Sequence, residues 1–327
     1  MALPQPSPPS SSMAAPPSPP SKIGLWTILS ESNRILRAQP RNLQALLLLF
    51  LLPSSFLLSL YPFIAKLFYP TIESHLSSLQ QNPSIKPFIL NLVYSLIISV
   101  FSNFSFGSIT YSVFHGFHGQ PVKPSSAIKA AFTSFFPLLS TSFVQSLIIS
   151  GIGLILGLVF FALFMAIQVL GFQVIYSPSY VIILAFACMI IFTSVLFYLQ
   201  VNWIFAFVIV VVESSWGLEP LKRSRILVKG IKGVALKILL FFGLCSSINV
   251  LRSIMQSGDS ASDEYWKSWD FIWNIVGTTS FYMLILIYNL AAYTVFYAYS
   301  KAEEFAGDYA SLPFADDGKV PHVVSIV

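Results

Sequence analysis

The sequence predicts an all-α polytopic membrane protein with six transmembrane helices. Hydrophobic residues make up 55% of the 327 positions and charged residues make up 9%, whereas soluble domains carry about 25% charged residues. Six apolar stretches between Leu43 and Tyr299 are each long enough to cross a hydrocarbon core of about 30 Å. The predicted spans are residues 43–64, 88–111, 143–170, 180–211, 234–254 and 271–297.

Each predicted span is bounded by proline, glycine or a charged residue, as expected where a chain leaves the bilayer. The fourth span is unusually long, because its 32 residues at about 1.5 Å per residue exceed the hydrocarbon core. We therefore expect this span to tilt, kink or run past the interface near Asn202. The bounding residues, span by span, are Arg41 and Lys66, Pro87 and Gly116, Pro137 and Gly171, Pro178 and Glu213, Gly233 and Gly258, and Asp270 and Lys301.

The chain is predicted to form one membrane domain, residues 22–305, between two tails. Residues 1–21 contain eight prolines and no charged side chain, a composition typical of disorder. They lack the basic start and the apolar run of a cleaved signal peptide, so we expect the first span to direct membrane targeting. Residues 306–327 are predicted to be a flexible cytosolic tail.

Lysine and arginine are distributed unevenly over the two sides of the predicted bundle. With a cytosolic N-terminus, 14 of the 18 basic residues lie on the cytosolic side and four lie on the other side. Because positive charge resists translocation, both termini are predicted to be cytosolic. The host membrane would be the plasma membrane or the endomembrane system (endoplasmic reticulum or Golgi). The net charge of +5 then reflects topology and anionic headgroups, and a nucleic-acid partner is not expected.

A short basic, amphipathic stretch precedes each odd-numbered span. Ile35, Ile128 and Ile226 recur within these stretches at nearly equal intervals, which suggests three repeats of an interfacial helix followed by a helical hairpin. The alternative is that the positive-inside rule produced similar basic entries independently. The three stretches are residues 28–41, 125–137 and 219–232.

The most specific string in the chain covers residues 203–233. Glu213 ends an apolar helix, Gly217 lies in the following turn, and a second helix carries Arg223-Ser224 with Leu227 three positions after the serine. This pattern resembles the signature of a superfamily of six-helix membrane proteins. The superfamily includes the membrane domain of some glycerophosphoryl diester phosphodiesterases, related bacterial inner-membrane proteins and a plant-type branch of uncharacterised transmembrane proteins.

The resemblance implies the six-helix fold over about residues 22–305 and does not bring the phosphodiesterase activity with it. The proline-rich N-terminus fits the plant-type branch. Many relatives carry a proline in the helix before the acidic residue, where this chain has Ala206-Phe207-Val208. The chain departs from the family's pattern at this point, so the resemblance does not carry a proline kink over to it.

The second helix of this motif is predicted to be amphipathic. Leu221, Ser224 and Val228 share one stripe, and the basic residues on the adjacent face would hold the helix flat on an anionic cytosolic leaflet. Glu213 is expected to pair with Arg223 or Arg225. Two roles stay open for the motif, a structural clamp or a contact with headgroup or substrate. Its candidate residues are Glu213, Gly217, Arg223, Ser224, Arg225 and Lys229.

No catalytic, cofactor or metal site is predicted. His115 and His118 could share a helical face, but no Asp, Glu or Cys lies near them in the sequence, so a metal site is not favoured. The second span is polar, and Ser95, Ser99 and Ser102 share a face that we expect to bond to neighbouring helices. A hydrated groove along that face is the alternative.

These features favour a non-enzymatic, lipid-interacting or scaffold-like membrane component. Its expected partners are anionic lipid headgroups on the cytosolic side. The alternative function is a transporter or channel for a small or amphiphilic solute. The polar second span motivates that alternative, and the shortage of ionisable residues inside the spans weakens proton-coupled transport.

Overall fold

The computed structural model describes residues 24–38, 40–68, 85–169, 178–259 and 269–310. Over these ranges the regular elements are all helical, and a π-helical turn at Leu47–Leu51 joins α2 to α3. The predicted N-terminal tail and most of the predicted C-terminal tail lie outside the described residues. The helices are α1 Leu25–Ala38, α2 Pro40–Leu46, α3 Leu52–Phe68, α4 Ile85–Phe117, α5 Pro124–Val169, α6 Pro178–Asn202, α7 Ala206–Glu213, α8 Glu219–Leu227, α9 Lys232–Asp259 and α10 Trp269–Ala310.

Six helical stretches are long and apolar enough to cross a membrane, which confirms the predicted number. Several helices run well past the apolar windows found in the sequence. The 46 residues of α5 give it a length of about 69 Å, more than twice the thickness of a hydrocarbon core. The last helix reaches Ala310, so it enters the segment predicted as a tail. The six stretches are Pro40–Tyr61, Ile89–Phe117, Pro124–Ala166, Ile182–Glu213, Lys232–Arg252 and Trp269–Glu304.

The main hydrophobic core lies at one end of the bundle, where α1, α4, α7, α9 and α10 meet. One residue from each of these helices is fully buried: Ile28, Ile109, Val208, Ile238 and Phe296. Helix α8 lies at the same end, together with the last turns of α10. We call this the basic end. Its close packing places the motif of residues 203–233 on a rigid support.

The hairpin of α5 and α6 lies at the periphery of the bundle. The most apolar windows of these two helices contain no buried residue, and Phe143, Leu154 and Phe186 are all more than 60% exposed. An apolar surface of this extent is typical of a helix pair that faces lipid or a partner protein.

The amphipathic stretches differ in their structure from the predicted interfacial helices. In α1, Ile28 and Ile35 face the core, and in the α8 segment Leu221 and Val228 are buried in the same way. Their apolar stripes therefore pack into the protein, and the expectation that the basic face of α8 meets an anionic leaflet stays a prediction. The middle stretch, residues 125–137, is the start of the continuous helix α5. Whether the three units arose by duplication stays a prediction.

The helices α4 and α5 approach each other closely at Gly107. A Cβ atom at this position would lie 3.1 Å from the backbone Cα of Ala131, which is shorter than an ordinary van der Waals contact of about 3.5–4.0 Å. Ala131 is itself fully buried. Glycine at position 107 therefore permits the packing of the second candidate span against the third.

Replacing Gly107 with alanine is expected to lower the free energy of unfolding by about 1 kcal/mol, because overpacking forces the two backbones apart. The midpoint of thermal unfolding in detergent measures this loss. Gly151→Ala is the matched control, since a Cβ there meets nothing within 4 Å and the change improves helix propensity by about 1 kcal/mol. Equal unfolding midpoints for the two variants would contradict the expectation.

Candidate functional site at the basic end

The fourth span breaks just after Asn202, near the point where its excess length predicted a tilt, a kink or a run past the interface. Helix α6 ends at Asn202, and α7 begins at Ala206 after a turn over residues 203–205. The hydroxyl of Ser224 donates to the carbonyl of Asn202 at 2.8 Å and accepts from the backbone N–H of Phe205 at 3.2 Å. A side chain inserted into the hydrogen-bond ladder is a recognised cause of a sharp helix break. Ser224 thus bridges two backbone groups at the break between α6 and α7.

The turn after Glu213 uses two residues with left-handed backbone conformations. Ser214 has φ of 54° and Gly217 has φ of 74°, a region that glycine enters without steric cost. The N–H of Gly217 donates to the hydroxyl of Thr141 on α5 at 3.2 Å. Thr141 is fully buried, so this contact ties the turn to α5.

Glu213 pairs with the last helix and not with its own motif. Its Oε1 atom accepts from Nζ of Lys301 at 2.9 Å and from the hydroxyl of Tyr297 at 2.7 Å. Lys301 also contacts the Tyr297 hydroxyl at 3.2 Å, and the three groups form a closed triangle. The predicted pairing of Glu213 with Arg223 or Arg225 is therefore wrong, because the end of α10 lies closer to Glu213.

Arg223 reaches the same face of the last helix. Its guanidinium donates to Oε2 of Glu304 at 2.7 Å, and the two side chains are about one third exposed, at 36% and 30%. Tyr297, Lys301 and Glu304 lie four and three residues apart, so they share one face of α10. Two ion pairs thus join the α7–α8 turn to the end of the last helix. We call Glu213, Arg223, Tyr297, Lys301 and Glu304 the turn cluster.

The remaining basic residues of the motif lie outside the turn cluster. Arg225 and Lys229 are exposed, as is Lys222, while Ser224 is fully buried. The predicted division of α8 into an apolar stripe and a basic face is thus present, with the stripe buried and the basic face exposed. Of the six candidate residues, Glu213, Gly217, Arg223 and Ser224 make contacts beyond their own helix, and Arg225 and Lys229 point away from the bundle.

The sequence interpretation did not select Tyr297, Lys301 or Glu304. Their spacing on one helical face is visible in the sequence, and Lys301 and Glu304 follow directly after an apolar span. That signal shows a charged end of a helix and does not show which partner it meets. Asn202 and Thr141 were also missed as partners of the motif, because each lies far from it in sequence.

The polar residues of the second span bond mainly within their own helix. The hydroxyls of Ser95, Ser105 and Ser112 donate to carbonyls three or four residues earlier, and Asn103 donates to Ser99 at 3.4 Å. Of the predicted face, Ser95 bonds within its own helix and Ser99 accepts from Asn103 of the same helix, so the expected bonds to neighbouring helices are absent at these two serines, and for Ser102 they stay a prediction. Backbone carbonyls satisfy Ser95, Ser105 and Ser112 locally, a common arrangement for serine in apolar helices.

Metal-binding side chains are dispersed over the described part of the chain. No group of three or more His, Cys, Asp or Glu residues there is close enough to hold a metal ion. His115 and His118 each bring Nδ1 within about 3 Å of a carbonyl one turn earlier. The ordered features of the basic end are therefore ion pairs, backbone contacts and an exposed basic surface.

The fold and the basic end define a helical bundle with six candidate membrane spans and a broken fourth helix. The chain belongs to the family described as "Domain of unknown function (DUF8558)", whose model matches residues 21–304. No curated protein and no solved structure matches the chain.

Proposed function

We propose that this protein is a non-enzymatic multi-pass membrane protein that binds anionic lipid and acts as a lipid-interacting or scaffold-like component. Both termini would face the cytosol, in the endomembrane system or the plasma membrane. The similarity of the 203–233 motif to the membrane-domain superfamily described above is part of the same proposal. The six apolar helices and the sidedness of the basic residues support it.

One observation carries the lipid-binding part of the proposal. The basic faces of α1 and α8 are exposed at the same end of the bundle, while their apolar stripes are buried in the protein core. Arg37 on α1 and Lys222, Arg225 and Lys229 in the α8 segment are thereby held on a packed support. Basic residues near an anionic leaflet contribute about 1 kcal/mol each. A fixed basic surface beside apolar, lipid-facing helices suits anionic headgroups.

The turn cluster is proposed to act as a structural clamp. Glu213 and Arg223 both form ion pairs with residues of α10. Arg225 and Lys229 are then the motif residues available to headgroups. Ion pairs at an interface are more often architectural than catalytic. The motif would then have two parts, one that fixes the α7–α8 turn and one that meets lipid.

The transporter or channel alternative receives less support from the second span. Ser95 is exposed on the outside of the bundle, and Ser99 bonds to Asn103. A hydrated pathway needs a connected row of polar groups inside the bundle. The local bonding of these residues gives no such row, so the lipid-interacting role is the better proposal.

Neutralising the basic face of α8 is expected to reduce the preference for anionic lipid. In the variant K222Q/R225Q/K229Q, each lost charge should lower the relative association of phosphatidylserine over phosphatidylcholine by about five-fold. Brominated versions of the two lipids quench tryptophan fluorescence in reconstituted vesicles and give this ratio. The preference should also weaken at high salt, because the charges are exposed.

The control keeps the charges and changes the side chains, as K222R/R225K/K229R. This variant should retain the preference of the unmodified protein. An unmodified protein that associates equally with both lipids would overturn the lipid part of the proposal. Equal preference in the neutral and control variants would instead remove α8 from it.

A further inference from the structure

A long open groove runs between α6 and α9, starting at the basic end. It has a volume of about 870 Å³ and is lined almost entirely by apolar side chains. Along α6 it extends from Phe186 to Val201, a distance of about 22 Å at the helical rise. Half of a hydrocarbon core is about 15 Å. Along α9 it extends from Lys232 to Leu240, about 12 Å, so the stretch lined by both helices is close to the depth of one leaflet.

The groove is open towards the surroundings of the bundle. Phe186 and Met189 on its α6 side are 68% and 65% exposed, and Leu240 on its α9 side is 45% exposed. The hydroxyls of Thr193 and Ser194 lie midway along the groove. That of Ser194 already donates to the carbonyl of Ile190 at 2.7 Å. Most of its length thus suits an acyl chain and offers little to a polar solute.

The end of the groove nearest the basic end is different in character. Nζ of Lys232 lies 5.6 Å from the ring centroid of Tyr198, and both side chains line the groove and are exposed. The sequence contains no acidic residue between Glu219 and Asp259, and α6 carries no charge at all. Neither helix of the groove therefore carries an acidic residue near this mouth, and Lys232 and Tyr198 can both donate hydrogen bonds to a phosphate.

We propose that this groove is a specific site for one anionic phospholipid of the leaflet at the basic end. One acyl chain would lie along α6 and α9, and the phosphate would bind between Lys232 and Tyr198. The inference rests on the proposed membrane insertion and lipid interaction, and it adds a defined site with its own residues. Charge complementarity selects the headgroup, and the apolar wall selects the chain.

Gly233 provides a direct test, because it lines the groove and a Cβ added there meets nothing within 4 Å. Gly233→Leu should therefore place an isobutyl side chain in the groove from a position where its Cβ is unobstructed. We expect it to weaken binding of phosphatidylserine and phosphatidylcholine at this site at least ten-fold. Lys232→Gln should weaken phosphatidylserine alone, by about five-fold. Native mass spectrometry of the full chain in detergent, titrated with each lipid, measures both effects.

Two control variants match these changes in chemistry but lie outside the groove. Gly277→Leu on α10 also adds a side chain where nothing lies within 4 Å, and Lys237→Gln removes the same charge from an exposed position on α9. Both should bind phosphatidylserine as the unmodified chain does. Unfolding midpoints for all four variants would identify any loss that comes from misfolding.

The outcomes separate this inference from the proposed function. If the unmodified chain retains phosphatidylserine and both Gly233→Leu and Lys232→Gln retain it equally, the groove site is refuted and the lipid interaction stands. If the unmodified chain shows no preference for phosphatidylserine over phosphatidylcholine, both are refuted. Loss of binding in Gly277→Leu or Lys237→Gln to the same extent would also refute a site confined to the groove.

Discussion

Replacing Ser224 with alanine is expected to lower the free energy of unfolding by about 2–4 kcal/mol. The substitution removes the only hydroxyl between the Asn202 carbonyl and the Phe205 N–H, which it contacts at 2.8 and 3.2 Å. Asn202 and Phe205 are both buried, so each backbone group would lose its partner without gaining water. An unsatisfied buried polar group costs about 1–3 kcal/mol. The loss should appear as a lower unfolding midpoint and lower abundance in membranes.

Ser112→Ala is the matched control for this experiment. Ser112 is as deeply buried, at 2% exposure, but its hydroxyl donates to the carbonyl of Ser108 within a regular helix. That carbonyl keeps its helical N–H partner when the hydroxyl is removed, so the cost should stay below about 1 kcal/mol. Similar losses in the two variants would mean that Ser224 matters only for its packing and not for the helix break.

The break illustrates how far local patterns determine this fold. Hydropathy predicted six spans, and the length of the fourth predicted that it would tilt, kink or run past the interface near Asn202, because both follow from the thickness of a bilayer. The helical period of 3.6 residues placed Ser224 on the buried face of α8. What the pattern did not contain was the cause of the break, since Ser224 lies 22 positions from the carbonyl that it binds.

The same limit explains why the partner of Glu213 was missed. Its acidic charge at the end of a span predicted an ion pair, and the nearest basic residues in sequence were those of α8. The actual partner, Lys301, is 88 positions away on the last helix. The choice depends on where α10 packs against α7, which is determined by fully buried residues such as Phe205 and Phe296. Sequence spacing predicts which residues share a face and does not predict which faces meet.

The sequence pattern also did not show what the apolar stripes of the amphipathic helices pack against. An apolar stripe beside a basic face is the usual pattern of a helix on a membrane surface. The same stripe serves equally well to cover the end of a helical bundle, as Ile28 and Val228 do here. Because both environments are apolar, composition alone could not distinguish between them.

Removing the Glu213 carboxylate is expected to separate the clamp from a headgroup contact. Glu213→Leu would leave the ammonium of Lys301 without its anion and the buried Tyr297 hydroxyl without its acceptor. The pair is about one quarter exposed, at 23% and 27%, so its loss should cost more than a surface pair and less than a fully buried one. We expect a decrease of about 2–3 kcal/mol in the free energy of unfolding.

The charge-exchanged double variant Glu213→Lys with Lys301→Glu makes this prediction specific. It restores opposite charges across the same gap and places a carboxylate one turn from the Tyr297 hydroxyl. If Glu213 is a clamp, the double variant should recover at least half of the lost stability, with the phosphatidylserine preference unchanged in every variant.

Arg223→Gln is the comparison, because its more exposed pair with Glu304 should contribute at most about 1 kcal/mol. Unfolding midpoints of the single and double variants give the coupling energy of the pair. If Glu213→Leu instead kept full stability and changed the lipid preference, Glu213 would belong to a headgroup site, because removing a structural clamp must lower stability.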